Sequence, residues 1–349
     1  MSTNFGIVGT GSIATVHAEA ISQIDHAKLV ACCARTPESG RRFSRVNNCD
    51  YESDLGSLLT RDDCDVIVIT TPSGTHADIG ILAAKHGKHV FCEKPLDISV
   101  GKIDQLIAAC AANNVLLGTI FQSRFGRGAR ALKRAIEQGR FGKLAQCSAY
   151  IPWYRDEEYY ESIPWHGTHS LDGGALLNQG IHAVDLLLWL VGEVQAVSGR
   201  VQTRIHDIET EDNATAWLQF VNGSLGVIQC STACYPGESK RVDIRGERGS
   251  VTLVDDVPVS WEFESSTPED AEIDDLRMSA TPSQGASDPK AISIDGHVAQ
   301  YRDFIAAISE GRQPAISGQE GRRSVEVIRA IYESSKSSSI VQIPLKPHS

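Results

Sequence analysis

Two stretches carry residues whose types and spacing point to chemistry. The first is "FGIVGTGSIA" at residues 5–14, where Gly9, Gly11 and Ala14 make the pattern G-x-G-x-x-A. In such a turn the first glycine permits a tight bend. The second removes a Cβ so that the backbone can approach a pyrophosphate, and the alanine lets the next helix pack on its strand. Thr10, Ser12 and Ile13 complete a loop whose helix N-terminus faces the anion. The second stretch is "KHVFCEKPLD" at residues 88–97. An apolar run ends abruptly in Glu93, Lys94 and Pro95. A lysine at the end of a buried strand is costly to desolvate, so an ordinary chain would leave it as a solvated charge.

The chemistry of the loop is dinucleotide binding, and the second strand chooses the dinucleotide. An NAD site commonly ends that strand with Asp or Glu, which accepts a hydrogen bond from the ribose 2′-hydroxyl. In "VACCARTPE" that point carries Ala34 and Arg35, 24 residues beyond Gly11. The absent carboxylate and the arginine favour NADP over NAD. Further on, "WYRDEEYYESIPWHGTHSLDGG" at 153–174 holds two of the five tryptophans and three tyrosines. Aromatic faces with hydrogen-bonding groups suit sugar rings, and Tyr154, Trp165 and His166 are candidate substrate contacts. No residue set has metal-ligand spacing. Cys230 and Cys234 lack an accompanying histidine or acid, so no metal is expected.

The elements that must position these residues show two textures. Over residues 5–122 short apolar runs alternate with helical stretches such as "GKIDQLIAACAANN", where Ile103, Leu106, Ile107 and Cys110 share one face. This predicts a parallel, doubly wound sheet covered on both faces, a Rossmann domain over residues 1–122. After residue 123 strands succeed one another with close turns, the clearest at Asn222–Gly223. This predicts an α+β domain over residues 123–349 with a large, open, mainly antiparallel sheet and a C-terminal helix that packs back on the first domain. Residues 262–295 are polar and aperiodic and read as a long loop.

Composition narrows the function classes. The 349 residues carry 33 Lys+Arg against 44 Asp+Glu, a net charge of -11. With no basic cluster, nucleic acid and anionic membranes are poor partners, whereas small neutral substrates fit. No apolar run is long enough to span a bilayer and no secretory leader is evident, so a cytoplasmic location is expected. The nine cysteines are scattered without a CxxC and read as reduced thiols.

The phosphate loop, "TTPSGTH" at 70–76, "CEKP" at 92–95 and "GGALLNQGIHAVDLLLWLVG" at 173–192 occur in order, and with them the chain resembles the Gfo/Idh/MocA family of NAD(P)-dependent oxidoreductases. The resemblance implies that Lys94 projects into the cleft between domains and contacts the reacting hydroxyl or carbonyl and the nicotinamide ribose. Glu93 then contacts the cofactor or holds the lysine, while Thr71, Pro72, Ser73, His76 and Gln122 follow the cofactor. It implies His182 as the general acid/base, with Asn178, Asp185 and Arg124 facing the substrate. Many sugar dehydrogenases of the family carry Asp where this chain has Asn178; an amide takes no proton, so acid/base work falls on His182 and Lys94. The implied activity is hydride transfer between nicotinamide and a ring hydroxyl or keto group of a sugar or polyol, in a homodimer or homotetramer. Two other classes share the fold. One is a glycosidase or lyase that retains and recycles NAD, which shows no net cofactor turnover. The other is a sugar-sensing regulator, which has no need of Lys94 and His182.

Overall fold

The short, mostly apolar runs within residues 3–119 become six parallel strands, with helices between them that shield the faces of the sheet. The computed structural model describes residues 2–278 and 294–345. These form two compact units. Residues up to Gln122 group with 294–322, and residues from Ser123 to 278 group with 323–345.

In the first unit the strands are β1 (Thr3–Val8), β2 (Ala27–Cys33), β3 (Asp50–Glu52), β4 (Val66–Ile69), β5 (His89–Cys92) and β6 (Leu117–Thr119). Their order is β3-β2-β1-β4-β5-β6, with every pairing parallel. This is a doubly wound Rossmann sheet, as its hydrophobic runs predict. The helix Asp295–Glu310, late in the sequence, completes the core. Its Tyr301 ring meets Phe5 at 5.3 Å and Phe91 at 4.8 Å, and Phe304 stacks on Phe91 at 4.6 Å. Gly118 of β6 is bare because a Cβ there would lie 2.8 Å from the Phe304 ring.

The second unit is built on an eight-stranded sheet. Its strands are β7 (Leu144–Pro152), β8 (Val194–Gln202), β9 (Asn213–Phe220), β10 (Leu225–Ser231), β11 (Arg241–Gly246), β12 (Gly249–Val254), β13 (Val257–Phe263) and β14 (Val341–Gln342). Their order is β13-β12-β11-β7-β10-β9-β8-β14. Six neighbours pair antiparallel and β10 pairs parallel to β7, so the sheet is mainly antiparallel, as the close turns imply. Asn222 and Gly223 turn β9 into β10, with Gly223 at φ +88°. All nine cysteines are free thiols and eight are shielded from solvent at least in part. Among the described residues no helix is long and apolar enough to cross a membrane.

The region read as a loop over 262–295 is corrected. β13 runs on to Phe263, and Ala271–Met278 is a helix. Its Ile273 and Leu276 are one turn apart and pack against Ala131 and Trp261. Ile273 and Leu276, set among five acids over 268–278, gave too weak a period to reveal it. The rest of that stretch, 279–293, lies outside the described residues.

One buried acid in the second unit sets a local conformation. Glu211, 6% exposed, precedes β9. Its Oε1 accepts the Leu176 N–H at 2.9 Å and the Tyr332 hydroxyl at 2.9 Å, and its own carbonyl accepts the Ala175 N–H at 2.8 Å. It therefore caps the start of the π-helical turn Ala175–Gly180. Gly174 is required there because a Cβ would lie 1.7 Å from the Glu211 carboxylate. Burial pushes the carboxyl from 4.5 to about 7, against the opposing pull of its backbone and tyrosine donors. A raised carboxyl binds its proton more tightly folded than unfolded, so its contribution to stability is full below about pH 4.5 and is lost as pH rises to about 7. Glu211→Gln keeps the acceptor oxygen without the charge. Chemical unfolding at pH 5 and pH 8 should show wild type losing roughly 2–4 kcal/mol more than the variant between the two. Parallel behaviour of the two proteins would refute the assignment.

Candidate active site

In the first unit, the residues expected to hold a cofactor gather at the carboxyl ends of the strands. Gly9–Ile13 follow β1, Arg35 follows β2, Thr71–Ser73 follow β4, Lys94 follows β5 and Gln122 follows β6. That edge is where open parallel sheets bind ligands. Gly9 takes φ +97°, and a Cβ on it would lie 2.7 Å from the Thr70 carbonyl, so only glycine fits. Gly11 differs. Its φ is -76°, and a Cβ would meet nothing within 4 Å. Neither backbone nor packing requires glycine there, so the open space suits a group that comes from outside the chain. Among the described residues no side chain caps the helix Ser12–Ser22, and its first-turn N–H groups suit a pyrophosphate. Ala14 is fully buried where helix meets strand.

Arg35 is exposed beside a hydroxyl cluster. Thr10 and Ser39 share a 3.0 Å hydrogen bond, and Thr36 donates to Ser39 at 3.0 Å. Gln122 Oε1 is buried with no hydrogen-bond partner among the described residues, as a group that receives a donor from a bound molecule would be. These residues fit a nicotinamide dinucleotide.

His76 is 1% exposed, and its ring nitrogens lie 2.7 Å from the Pro95 and Thr71 carbonyls. It clamps the loop after β4 to the turn after Lys94. Asp97, fully buried, reinforces that turn by accepting the Ser99 N–H at 3.0 Å and the Ala77 N–H at 3.3 Å. Glu93 is buried, with its Oε1 2.9 Å from His17 Nε2 and its Oε2 accepting the Lys94 N–H at 3.0 Å. Burial raises its pKa, but the hydrogen bond and charge of His17, with the charges of Lys94 and His297, bring it down to about 2. Lys94 itself is half-exposed.

In the second unit, the turn Ala175–Gly180 carries Asn178 and runs straight into the helix Ile181–Val191, which carries His182. From 181 to 188 every residue is buried except His182, which is half-exposed. An apolar helix thus presents one titratable ring. Asn178 donates to Asp172, whose other oxygen accepts the Gly167 N–H at 2.7 Å. A carboxylate therefore stands next to residue 178 after all, supplied by a different position.

The Arg124 guanidinium reaches both oxygens of Asp185, at 2.7 and 2.6 Å, with side chains 4% and 1% exposed. Ser324 adds a hydrogen bond to Asp185 at 3.1 Å. The pair is a buried brace between the segment after β6 and the helix bearing His182. His166 stacks on Tyr159 at 4.3 Å and bonds the Tyr159 carbonyl at 2.8 Å, and Trp165 lies edge-on to it. Burial lowers the His166 pKa. Tyr154 packs separately, against Tyr235 at 5.2 Å.

The sequence reading missed His17, Asp172 and Glu211. His17 looks like a surface position on an ordinary helix. Asp172 before two glycines reads as a turn residue. Glu211 in "IETEDNA" reads as one of several solvated acids. Only Gly174, which gives way to Glu211, leaves a sequence trace.

Residues 3–121 match the oxidoreductase family with an NAD-binding Rossmann fold, and residues 129–252 match the GFO/IDH/MocA C-terminal domain. The chain is 27% identical to a myo-inositol 2-dehydrogenase of Thermotoga maritima over 92% of both chains. It is 30% identical to a 2,7-anhydro-N-acetylneuraminate hydratase of Mediterraneibacter gnavus, over 72% of this chain and 67% of that one. The WlbA dehydrogenase of Bordetella pertussis, solved with NADH and UDP-GlcNAcA, superposes with a TM-score of 0.93 at 32% identity over 99% of each chain. With both halves matched, and with Gly11, Lys94 and His182 placed as described, the chain belongs to the Gfo/Idh/MocA family of oxidoreductases.

Proposed function

We propose that this protein is a nicotinamide-dependent dehydrogenase that interconverts a ring hydroxyl and a ketone of a sugar or polyol. The observation that carries the reading is the anchored Lys94, placed on the same sheet edge as the phosphate loop. Dehydrogenase relatives acting on inositol support the substrate class. Gly9–Ile13 hold the diphosphate, Thr71, Pro72 and Ser73 run along the ribose, Gln122 faces the nicotinamide end, and Glu93 holds Lys94 through its backbone N–H. When bound, the nicotinamide accepts or returns a hydride. The Lys94 ammonium stabilises negative charge on the alcohol oxygen as its proton leaves. His182 takes that proton, the role an imidazole most often fills in general acid–base catalysis. Asn178, held by Asp172, bonds a substrate hydroxyl. Tyr154, Trp165 and His166 shape the rest of the substrate pocket. The outer face of the eight-stranded sheet pairs copies into a homodimer or homotetramer.

Arg35 selects the cofactor. Its exposed guanidinium and the Thr36 and Ser39 hydroxyls receive a 2′-phosphate, and no carboxylate at 34–36 repels it. A second reading is favoured by the hydratase relative, whose reaction has no net redox change. In that case the same residues would serve a cofactor that is recycled within each turnover.

Two tests follow. With a sugar and polyol panel, absorbance of reduced nicotinamide should rise in step with product. Lys94→Ala and His182→Ala should each lower kcat by roughly 10²–10⁴-fold. Product without net cofactor reduction would instead support the recycling reading, and near-normal kcat in both variants would end the proposal. For the cofactor, calorimetric titration should show NADPH binding tighter than NADH by roughly tenfold or more, the worth of one charge-assisted contact. Arg35→Ala should narrow that gap, and tighter NADH binding by wild type would overturn the preference.

A further inference from the structure

His17 lies on the helix that starts at the phosphate loop, and it is fully buried. A histidine inside a core is tolerated only when its ring nitrogens are bonded. Both are. Nε2 is 2.9 Å from Glu93 Oε1, and Nδ1 is 2.8 Å from the hydroxyl of Tyr301, itself fully buried on Asp295–Glu310. The other oxygen of Glu93 accepts the backbone N–H of Lys94 at 3.0 Å. Tyr301, His17, Glu93 and the Lys94 backbone thus form one unbroken chain of hydrogen bonds across three elements.

We propose that His17 is a positioning residue for Lys94, acting through Glu93. The inference rests on the reading of Lys94 as the group that meets the reacting oxygen. Glu93 is ionised and has almost no solvent. Without His17 its charge loses the partner that holds Oε1, and a buried charge short of partners is strongly unfavourable. The carboxylate must then take a proton or move toward another donor. The nearest route runs through the residue to which it is already bonded, Lys94. Either change shifts the lysine backbone, and small displacements of a reacting group are expensive in rate. With Nε2–H donating to Glu93, the Tyr301 hydroxyl can donate to a bare Nδ1 or accept from a protonated one, so it supports the ring in either case. His297 stands edge-on to His17, with ring centroids 5.5 Å apart, and closes the remaining side.

The test compares His17→Leu with His17→Gln, whose amide N–H can take the place of Nε2–H. His17→Leu should lower kcat by about 10- to 100-fold while changing the dinucleotide dissociation constant far less. His17→Gln should recover most of the loss. His17→Leu/Glu93→Gln should be no slower than the worse single variant, because the two residues act as one unit. Circular dichroism and thermal melting establish that each variant is folded, and the double variant, which removes the buried charge, keeps the comparison valid if His17→Leu alone is unstable. Wild-type kcat in folded His17→Leu, or additive losses in the double variant, would overturn the inference. So would failure of His17→Gln to improve on leucine. Because the donor atoms of His17, Glu93 and His297 lie within 4.8 Å of one another, elemental analysis of the purified protein is included, and a stoichiometric metal would also overturn it. If Lys94→Ala keeps its activity, the functional reading fails. If Lys94→Ala is inactive and His17→Leu is not, only this inference fails.

Discussion

A carboxylate that stays ionised inside an apolar core governs the first unit. Glu93 has nearly no contact with water, so the protein must replace every interaction that water would have given it. It does so with a histidine from the helix after β1 and with the next backbone N–H. That requirement ties together elements that the sheet alone would leave independent. The helix after the phosphate loop, the end of β5 and the helix Asp295–Glu310 cannot shift relative to one another without uncovering a charge. The phosphate loop and Lys94 are thereby held in one frame.

The second unit handles its buried acids in two ways. Asp185 is matched by a bidentate arginine, which fixes the helix bearing His182 at low electrostatic cost. Glu211 has neutral donors at its carboxylate, so burial prevails and it holds a proton near neutral pH. The difference lies in the partner and not in the depth. Both acids serve the same stretch of chain, from Ala175 to Val191, which carries Asn178 and His182.

The Rossmann order was legible because each apolar run is short and each helix has a clear face. Gly9 and Gly11 were legible for different reasons, one conformational and one spatial, and the structure separates the two. The second unit's sheet was legible as antiparallel, but not its parallel β7–β10 pair, since strand neighbours far apart in sequence leave no local mark. Residue roles were less visible. His76, Arg124 and Asp185 are polar residues in motifs that read as ligand contacts, yet their partners are other parts of the chain. His17, Asp172 and Glu211 acquire meaning only from residues 76, 6 and 35 positions away along the chain. Hydrophobic periodicity reports burial. It does not report which buried polar groups meet.

Residues 294–322 complete the first unit, and this orders events during synthesis. When Gln122 leaves the ribosome the six strands are present, but Tyr301 and Phe304 are not, so Phe5 and Phe91 still lack their aromatic cover. Glu93 and His17 also lack Tyr301 at that stage. A nascent chain therefore carries an unfinished N-terminal core for most of its translation, while the strands from β7 to β13 emerge and can pair. The part translated first is among the last to close, and its exposed apolar face is a natural client surface for chaperones.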